Sequence, residues 1–485
     1  MKRNRLGLFF CFIAGLTMMS TSAFAAFGQS EKELKEKYPK YPSLIQWEDN
    51  GAPFTDPTVC AGCHPQQYEE WQGSMHSMSF QDPVYLGELN LAVKAVGKEV
   101  AKQCEGCHTP AAFVMGETEG EIDFEKITPL AKAGVSCDVC HSIKRHTNWE
   151  TPSHEPENGS FVLSPGKDKN TLTNYGPFPD YDGCGGGFHD CVESPLHLQA
   201  DLCASCHQVF HYKEHTPLEQ TYAEWKKSPY ATKDIACQDC HMVDIKTFKR
   251  SADKFQKPVR GEYHHYFNGA NFLLYYLGGL QAKKAGDTKL AANYQQKFDM
   301  AVERLKSAAE VDIVPVYNDK KLHEVKIRVH NKRAGHNLPT SLTNIRQMWL
   351  EVTATDADGK VIMTSGHLDD KGELPENTRL FNSDGQGHDL TFKLDPWDVV
   401  SFSRHDTIPP KGYRDVYYGL SGDYKAPITF KAKLRFRQAP QAVAEKLLSN
   451  VPKGIDLKER YGITEVPAVP IVDMIDKTVT IKGKK

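Results

Sequence analysis

The sequence predicts a multidomain α+β protein, in which a mostly α-helical and irregular N-terminal domain is joined by a linker helix to an antiparallel β-sandwich. Three patterns predict this class. Five Cys-x-x-Cys-His motifs lie between residues 60 and 241, and none follows. Apolar residues then recur at helical spacing up to residue 310, and after residue 311 they recur at every second position. We expect an N-terminal domain over 52–275, a linker over 276–310 and a β domain over 311–485.

Residues 1–25 resemble a secretory signal peptide. Lys2, Arg3 and Arg5 precede an apolar stretch over 6–19, and Ala23-Phe24-Ala25 provides a small-x-small cleavage site. The alternative is a membrane anchor, but the apolar stretch is short for a bilayer span. No later segment is long and apolar enough to cross a membrane. We therefore expect an exported protein without an integral membrane segment in the mature chain, located in the periplasm, at the surface or outside the cell.

The five motifs are typical of covalent haem attachment. In Cys-x-x-Cys-His the two sulfurs bond to the haem vinyl groups, and the histidine becomes the proximal iron ligand. Zinc ribbons and redox Cys-x-x-Cys pairs give no reason for a histidine to follow the second cysteine in every copy. We expect five haem c groups, attached through Cys60, Cys63, Cys104, Cys107, Cys137, Cys140, Cys203, Cys206, Cys237 and Cys240 and bound by His64, His108, His141, His207 and His241.

Two further cysteines, Cys184 and Cys191, remain once Cys11 is removed with the leader. Val192, and not a histidine, follows the second of them, so they do not form an ordinary haem motif. In an oxidising compartment a disulfide closing this Gly-rich loop is the favoured interpretation. A metal site that uses His189, or an unpaired thiol, is the alternative.

The haem-bearing segment is rich in Gly, Pro and Asn, and predicts short helices around each motif joined by long loops. Covalently attached haems supply apolar mass, so little regular structure is needed to form a core. The segment 271–310 predicts a helix that packs across this domain and connects it to the next. Alternating apolar residues over 325–329, 348–352, 390–394 and 428–436 predict strands, and Asp358-Gly359 predicts a hairpin turn. Several short strands of this kind suggest an immunoglobulin-like sandwich.

The second axial ligand of each iron decides what the haems can do. Two histidines saturate the iron and suit electron transfer, whereas an open position permits substrate binding. The sequence has 20 histidines, of which fifteen lie outside the motifs. Sequence context favours four of these as distal ligands: His76 after the first motif, His197 before the fourth, His265 after the fifth, and His336 in a loop of the β domain.

The opening Cys60-Ala-Gly-Cys-His64, followed by Tyr68-Glu-Glu-Trp71 and His76, resembles multihaem cytochromes of the cytochrome c-554-like group. That group is related to the haem-packing cores of hydroxylamine oxidoreductase-like proteins. The segments 134–141, 221–225 and 237–242 are similar as well, and the loop 334–340 resembles the histidine-bearing loop of a β domain fused to some members.

The resemblance implies closely stacked haems whose distal histidines come from distant segments. In such families His76, His197, His265 and His336 match positions that act as distal ligands. The fifth ligand has no equally clear match. We expect it to be His146, just after the third motif, with His154, His211 and His215 as competitors.

Two functions follow from these patterns. The first is an electron carrier in anaerobic, nitrogen or sulfur respiration, with redox proteins as partners: a membrane quinol dehydrogenase or other cytochromes, and a terminal reductase. The alternative is a multihaem oxidoreductase that acts on a small nitrogen or sulfur compound at one open haem. Every motif ends in histidine and no Cys-x-x-Cys-Lys occurs, which favours the carrier and counts against a nitrite reductase. A formal net charge of −3 without a clustered basic face gives no indication of nucleic-acid binding.

Overall fold

The architecture, seen in a computed structural model, is that of a helical, loop-rich N-terminal part, two long helices and a β-sandwich. The structure describes residues 31–38, 40–48, 54–118, 122–168, 171–178, 187–319, 321–420 and 422–482. The predicted leader over 1–25 and Cys184 lie outside the described residues. Within them, the α+β multidomain class is confirmed. No helix of the described ranges is long and apolar enough to cross a membrane.

Short helices surround the Cys-x-x-Cys-His motifs, as the sequence predicts. Side chains cap several of them: Asp56 accepts a hydrogen bond from the Thr58 amide, and Ser136 accepts one from the Val139 amide. The helices of this part are α1 Glu31–Lys37, α2 Pro57–Cys60, α3 Pro65–Gln72, α4 Met75–Met78, α5 Pro83–Val96, α6 Glu99–His108, α7 Pro110–Met115, α8 Pro129–Lys132, α9 Cys137–His141, α10 Ala200–Ala204, α11 Thr221–Lys226, α12 Pro229–Thr232, α13 Gln238–His241 and α14 Ile245–Lys254.

Small sheets organise the long connections between the motifs. Their strands are β1 Gln46–Trp47, β2 Ile143–His146, β3 Phe161–Leu163, β4 Gly166–Asp168, β5 Thr171–Gly176, β6 His189–Glu193, β7 Val209–Phe210 and β8 Pro217–Glu219. The first sheet has the order β1-β3-β2, the second β4-β5-β6, and the third pairs β7 with β8. Strands β5 and β6 run parallel, with Leu172 opposite His189. This pairing holds the segment around His189 beside β5, in the long connection between the third and fourth motifs.

Two helices, α15 Phe272–Lys284 and α16 Thr288–Ala308, form the connection to the β domain. The boundary expected at residue 275 therefore falls inside α15. Phe272 and Tyr294 of these helices are buried in one continuous apolar core with Val325 and Phe430 of the sandwich. On its other side α16 contacts the N-terminal part, since the Arg304 guanidinium donates to the Val243 carbonyl at 3.2 Å.

The C-terminal part is a sandwich of two antiparallel sheets. Its strands are β9 Ala309–Asn318, β10 Lys321–Asn331, β11 Gln347–Thr355, β12 Val361–Ser365, β13 Ser383–Gln386, β14 Ser401–His405, β15 Tyr413–Gly419, β16 Ile428–Arg437 and β17 Ile471–Ile481, with helices α17 Gln441–Leu448 and α18 Leu457–Tyr461 before the last strand. The sheets have the orders β15-β10-β9 and β12-β11-β16-β17. The chain crosses between these two sheets after β10 and again after β15, while β13 and β14 form a separate two-stranded sheet. Crossing connections of this kind occur in the immunoglobulin-like folds that the sequence suggests.

Three of the four alternating runs lie in strands of this sandwich: 325–329 in β10, 348–352 in β11 and 428–436 in β16. Their inward residues form the core, with Ile327, Leu350 and Phe430 all 0% exposed. The expected turn at Asp358-Gly359 connects β11 to β12, and Gly359 has a φ of +81°. A positive φ is unfavourable for residues with a Cβ, which explains the glycine.

The strand predicted over 390–394 is wrong. This segment is a loop between β13 and β14, in which the Leu390 amide donates to the Gly387 carbonyl at 3.0 Å and Leu390 has a φ of +59°. Leu390 and Phe392 are 72% and 55% exposed, so neither contributes to the core. Alternation alone could not reveal the turn that interrupts the pairing.

Contacts between the N-terminal part and the sandwich fix their arrangement. Arg333 makes a bidentate ion pair with Asp253, with both distances 2.8 Å. Nearby, the Tyr230 hydroxyl donates to the Arg333 carbonyl at 3.3 Å. Farther along the interface, His211 Nε2 donates to the Trp397 carbonyl at 3.0 Å. These bonds hold the sandwich against α12, α14 and the segment around His211.

Candidate haem sites

Three of the five motif histidines are oriented by a backbone carbonyl. Nδ1 of His108 donates to the Ser79 carbonyl at 2.7 Å, and Nδ1 of His141 donates to the Tyr175 carbonyl at the same distance. Nδ1 of His241 donates to the Asn268 carbonyl at 2.8 Å. With Nδ1 protonated and bonded, Nε2 carries the free lone pair that a metal ion needs.

His207 is oriented differently, because its partner is a carboxylate. Its Nδ1 lies 3.3 Å from Oε1 of Glu219, whose side chain is only 13% exposed. A carboxylate in this position fixes the same tautomer as a carbonyl, and also brings a negative charge to the ring.

The motif cysteines form one connected group in space. None of the ten is part of a disulfide. Cys60 interacts with Cys137, Cys107 with Cys206, and Cys203 with Cys237, while Cys140 is close enough to Cys203 and Cys206 to affect their ionisation. The first motif therefore adjoins the third, and the fourth adjoins the second, third and fifth. Groups attached at these cysteines would form one cluster, in which the group of the fourth motif is next to those of the second, third and fifth.

Two of the predicted distal histidines face a motif histidine directly. Imidazoles bound on opposite sides of one metal ion have ring centroids about 6 Å apart, since each metal–nitrogen bond is about 2 Å long. His76 and His207 have centroids 6.4 Å apart and ring planes 23° apart. For His241 and His336 the values are 6.1 Å and 20°. Both pairs have the separation that a shared iron requires.

His141 of the third motif faces two predicted ligands. The His197 ring is 5.6 Å away with an interplanar angle of 11°, and the His265 ring is 6.4 Å away at 40°. Nε2 of His197 is 3.1 Å from the Cys140 carbonyl. His265 is held instead through its backbone amide, which donates to Oε2 of Glu70 at 2.8 Å and leaves Nε2 free.

His64 of the first motif faces His189, with centroids 6.5 Å apart and an angle of 32°. The sequence-based choice of a fifth ligand was His146, but the structure does not bring His146 to any motif histidine. That residue lies in β2, and its ring contacts Trp149 at 5.7 Å. Sequence reasoning placed His189 only in a possible metal site. The position of His189 near Cys191 is visible in the sequence. The parallel pairing of β5 and β6, which brings His189 to His64, has no local sequence signal.

The other competitors for the fifth position already have hydrogen-bond partners. Nε2 of His215 is 2.8 Å from Oε1 of Glu157 in a pair buried from solvent, and both ring nitrogens of His211 are bonded to backbone atoms. His154 has a φ of 58° in a turn after the third motif.

His108 of the second motif contacts a tyrosine ring. It stacks face to face on Tyr85, with centroids 3.8 Å apart and planes 4° apart, so that Tyr85 covers a face of the imidazole. Among the residues that the structure describes, no histidine ring forms a facing pair with His108 like those of the other motifs, although His76 and His207 lie near enough to influence its charge. The Tyr85 hydroxyl is buried without a hydrogen-bond partner. Burial raises the pKa of the nearby Glu88 and Glu105 carboxyls to about 7, so this region is apolar and weakly solvated.

Burial keeps three of the facing imidazoles, His76, His141 and His241, neutral, whereas Glu219 raises the pKa of His207. Burial lowers the pKa of His76 to about 3, with smaller contributions from His207 and His108, and it lowers the pKa of His141 and His241 to about 3 as well. A neutral imidazole has the lone pair that an iron ion accepts. Paired thiols, an oriented neutral imidazole and a second imidazole about 6 Å from it form a donor set that fits covalent haem c.

Comparison with known proteins agrees with this chemistry. Residues 59–142 match the family model described as cytochrome c554 and c-prime. Among solved structures, the fold is similar to the crystal structure of a penta-heme cytochrome c552 from Thermochromatium tepidum, with 19% sequence identity, a TM-score of 0.56, and coverage of 88% of this chain and 99% of that chain. No curated protein matches the sequence.

Part of the chain is thus similar to multihaem c-type cytochromes in sequence, and the fold is similar to that of a pentahaem cytochrome. The segment 59–142 is the part that is similar to the cytochrome c554 and c-prime family, and a C-terminal β-sandwich is joined to the N-terminal part.

Cys191 is disulfide-bonded in the structure, in contrast to the ten motif cysteines. It lies in β6 with its Sγ 3.5 Å from Nδ1 of His189. Its predicted partner, Cys184, lies outside the described residues. A bond closing this loop would hold β6, and with it His189, in place opposite the first motif.

We predict that Cys184 and Cys191 are linked to each other in the mature protein. Alkylation of the unfolded protein without reductant should leave both unlabelled, and alkylation after reduction should label both, as peptide mass spectrometry can show. The motif cysteines serve as an internal control, because thioether bonds to haem resist both treatments. Labelling of either residue before reduction would contradict the pairing.

Proposed function

We propose that this protein is an exported pentahaem cytochrome c that passes electrons between redox partners in anaerobic, nitrogen or sulfur respiration. The observation that carries the proposal is the proximity of the five motifs, whose cysteines interact in three pairs, with Cys140 of the third motif near Cys203 and Cys206 of the fourth. Electron transfer needs redox groups close to one another, and five groups attached at these positions would satisfy this need. The partners would be a membrane quinol dehydrogenase or other cytochromes on one side and a terminal reductase on the other, in the periplasm.

The residues that would hold the cofactors are those of the motifs and of the facing histidines. Each haem iron supplies a one-electron change between Fe(III) and Fe(II). The proximal ligands would be His64, His108, His141, His207 and His241. Opposite them, we propose His189 for His64 in place of His146, His197 or His265 for His141, His76 for His207, and His336 for His241.

The proposal requires five haems. Intact mass spectrometry of the exported protein should give the mass of the chain from about Ala26 onward plus five haem groups. Expression without the apparatus for haem attachment is the control, and should give the same chain without added mass. A protein carrying four or six haems, or one that retains residues 1–25, would contradict the proposal.

The β-sandwich has a role in this proposal because its loop 334–340 carries His336. The loop is fixed by Glu224 of α11, whose Oε2 accepts hydrogen bonds from the Asn337 amide at 3.1 Å and from the Thr340 hydroxyl at 2.5 Å. Within the loop, Nδ1 of His336 donates to the Asn337 carbonyl at 2.8 Å and leaves Nε2 toward His241. The sandwich would thus complete a haem site of the N-terminal part.

Replacing His336 by Ala should convert one haem from low-spin to high-spin, because the iron bound by His241 loses its second strong ligand. Optical spectra of the oxidised protein measure the change. His330→Ala is the matched control: it removes another histidine of the sandwich, one paired with Asp312 and facing no motif histidine. Identical spectra for both variants would mean that the sandwich is not part of a haem site.

A second function is favoured by the environment of His108. Among the described residues no histidine ring forms a facing pair with His108, and the Tyr85 ring that stacks on His108 has a buried hydroxyl without a hydrogen-bond partner. An open iron position with a hydrogen-bond donor nearby suits a small ligand. Under this alternative the protein is a multihaem oxidoreductase for a small nitrogen or sulfur compound.

We predict that the reduced protein binds one equivalent of carbon monoxide, and that the His336→Ala variant binds two. Titration followed by optical spectroscopy measures both. Turnover of hydroxylamine, nitrite or sulfite by the native protein would favour the oxidoreductase over the carrier, whereas ligand binding without turnover favours the carrier. If no carbon monoxide binds, a protein side chain occupies the second motif's iron and the oxidoreductase proposal fails.

A further inference from the structure

The partner of Nδ1 distinguishes His207 from the other oriented motif histidines. In the second, third and fifth motifs this nitrogen donates to a neutral backbone carbonyl, of Ser79, Tyr175 and Asn268 respectively. In the fourth motif it lies 3.3 Å from a carboxylate oxygen of Glu219. One site of this set therefore has a formal negative charge at hydrogen-bond distance from its proximal ligand.

Glu219 is held in this position by both parts of the molecule. It ends strand β8, which pairs with β7 so that Glu219 lies opposite Val209, two residues after His207. Its Oε2 accepts from the Ser341 hydroxyl of the sandwich at 3.1 Å, and its Oε1 is 3.4 Å from the Thr221 hydroxyl. The side chain is 13% exposed. These contacts fix the carboxylate within hydrogen-bond distance of the ring, where its charge acts over a short range, although the His207 side chain itself is 54% exposed.

A second carboxylate, Glu70, lies near a proposed distal ligand, but its geometry differs. Its Oε2 is 3.8 Å from Nδ1 of His265, beyond hydrogen-bond distance, and its Oε1 is 2.7 Å from Nδ1 of His264. Glu70 therefore positions the backbone at His265 and does not bond to the ring nitrogen. Glu219 is the carboxylate in hydrogen-bond contact with a motif histidine within the described ranges.

We propose that Glu219 is a positioning residue that lowers the reduction potential of the haem held by the fourth motif. The inference rests on the proposed function, in which His207 binds iron. A carboxylate that accepts the Nδ1 proton makes the imidazole a stronger electron donor. A stronger donor stabilises Fe(III) relative to Fe(II), because the oxidised ion has the higher charge. The neutral carbonyls that accept from His108, His141 and His241 stabilise Fe(III) less than a carboxylate does.

A lowered potential at the fourth motif would affect electron exchange across the cluster, because of where this motif lies. Cys203 and Cys206 adjoin cysteines of the second, third and fifth motifs, so the fourth lies at the junction of the cluster. The potential at the junction affects exchange between all the other sites. Since Ser341 belongs to the sandwich, the β domain would influence two neighbouring haems, one through His336 and one through Glu219.

The test is the variant Glu219→Gln, which keeps the size and a hydrogen-bond acceptor but removes the charge. One haem should become easier to reduce, with its ratio of reduced to oxidised form raised about tenfold at a fixed potential, the lower end of typical second-shell effects. For one electron this is a shift of about 59 mV upward. Spectroelectrochemical titration of the holoprotein measures it, and the paramagnetic resonance signal of one low-spin haem should change with it.

The matched control is Glu351→Gln, which removes a carboxylate of similar exposure, 15%, that pairs with Arg435 in the sandwich. It should leave all midpoints unchanged. Glu219→Asp keeps the charge but withdraws it by one methylene, so the reduction potential of the same haem should rise by less. This variant replaces Glu219→Gln as the test if the glutamine variant does not take up its haems. If the Glu219 variants carry five haems by mass and their midpoint potentials equal those of the control, this inference alone is overturned. A protein without haem at Cys203 and Cys206 would overturn the proposed function.

Discussion

The separation of about 6 Å between facing imidazoles is the constraint on which the rest of this structure depends. A Cys-x-x-Cys-His motif supplies its thiols and one imidazole from five consecutive residues, and a short helix is enough to present them. The second imidazole comes from elsewhere in the chain. His76 faces His207, from which it is 131 residues distant in the sequence, and His336 faces His241, from which it is 95 residues distant. The long loops, the small sheets and the interface with the sandwich all serve to make these distant approaches possible.

The sandwich is accordingly part of the cytochrome and not an appended module. Its core continues into α15 and α16, so the helices that leave the N-terminal part also complete the apolar packing of the β domain. Its loop 334–340 is tied to α11 through Glu224, while Arg333 is tied to Asp253. Independent motion of the two parts would break these hydrogen bonds and the buried one between His211 and Trp397, and would uncover the shared core, at a cost in free energy.

Sequence patterns predicted the features that local chemistry determines. The motifs, their short helices, the alternating strands β10, β11 and β16 and the turn at Gly359 each depend on residues close together in the chain. The distal histidines depend on long-range packing. His146 was favoured because it follows the third motif, but it lies in β2 against β3. His189, which we propose in its place, is positioned by a parallel pairing with β5 that no local pattern indicates. The strand predicted over 390–394 is absent because a tight turn at Leu390 interrupts the strand that the alternating apolar residues indicated.

The central claim is that four motif histidines are each faced by a second histidine, and that His108 is not. Electron paramagnetic resonance of the fully oxidised protein, with spin quantitation, tests it most directly, because bis-histidine haems are low-spin and a haem lacking a second strong ligand is high-spin. The account predicts four low-spin haems and one high-spin haem. Five low-spin haems would show that a ligand reaches the iron of the second motif, and two or more high-spin haems would show that the facing pairs do not share an iron.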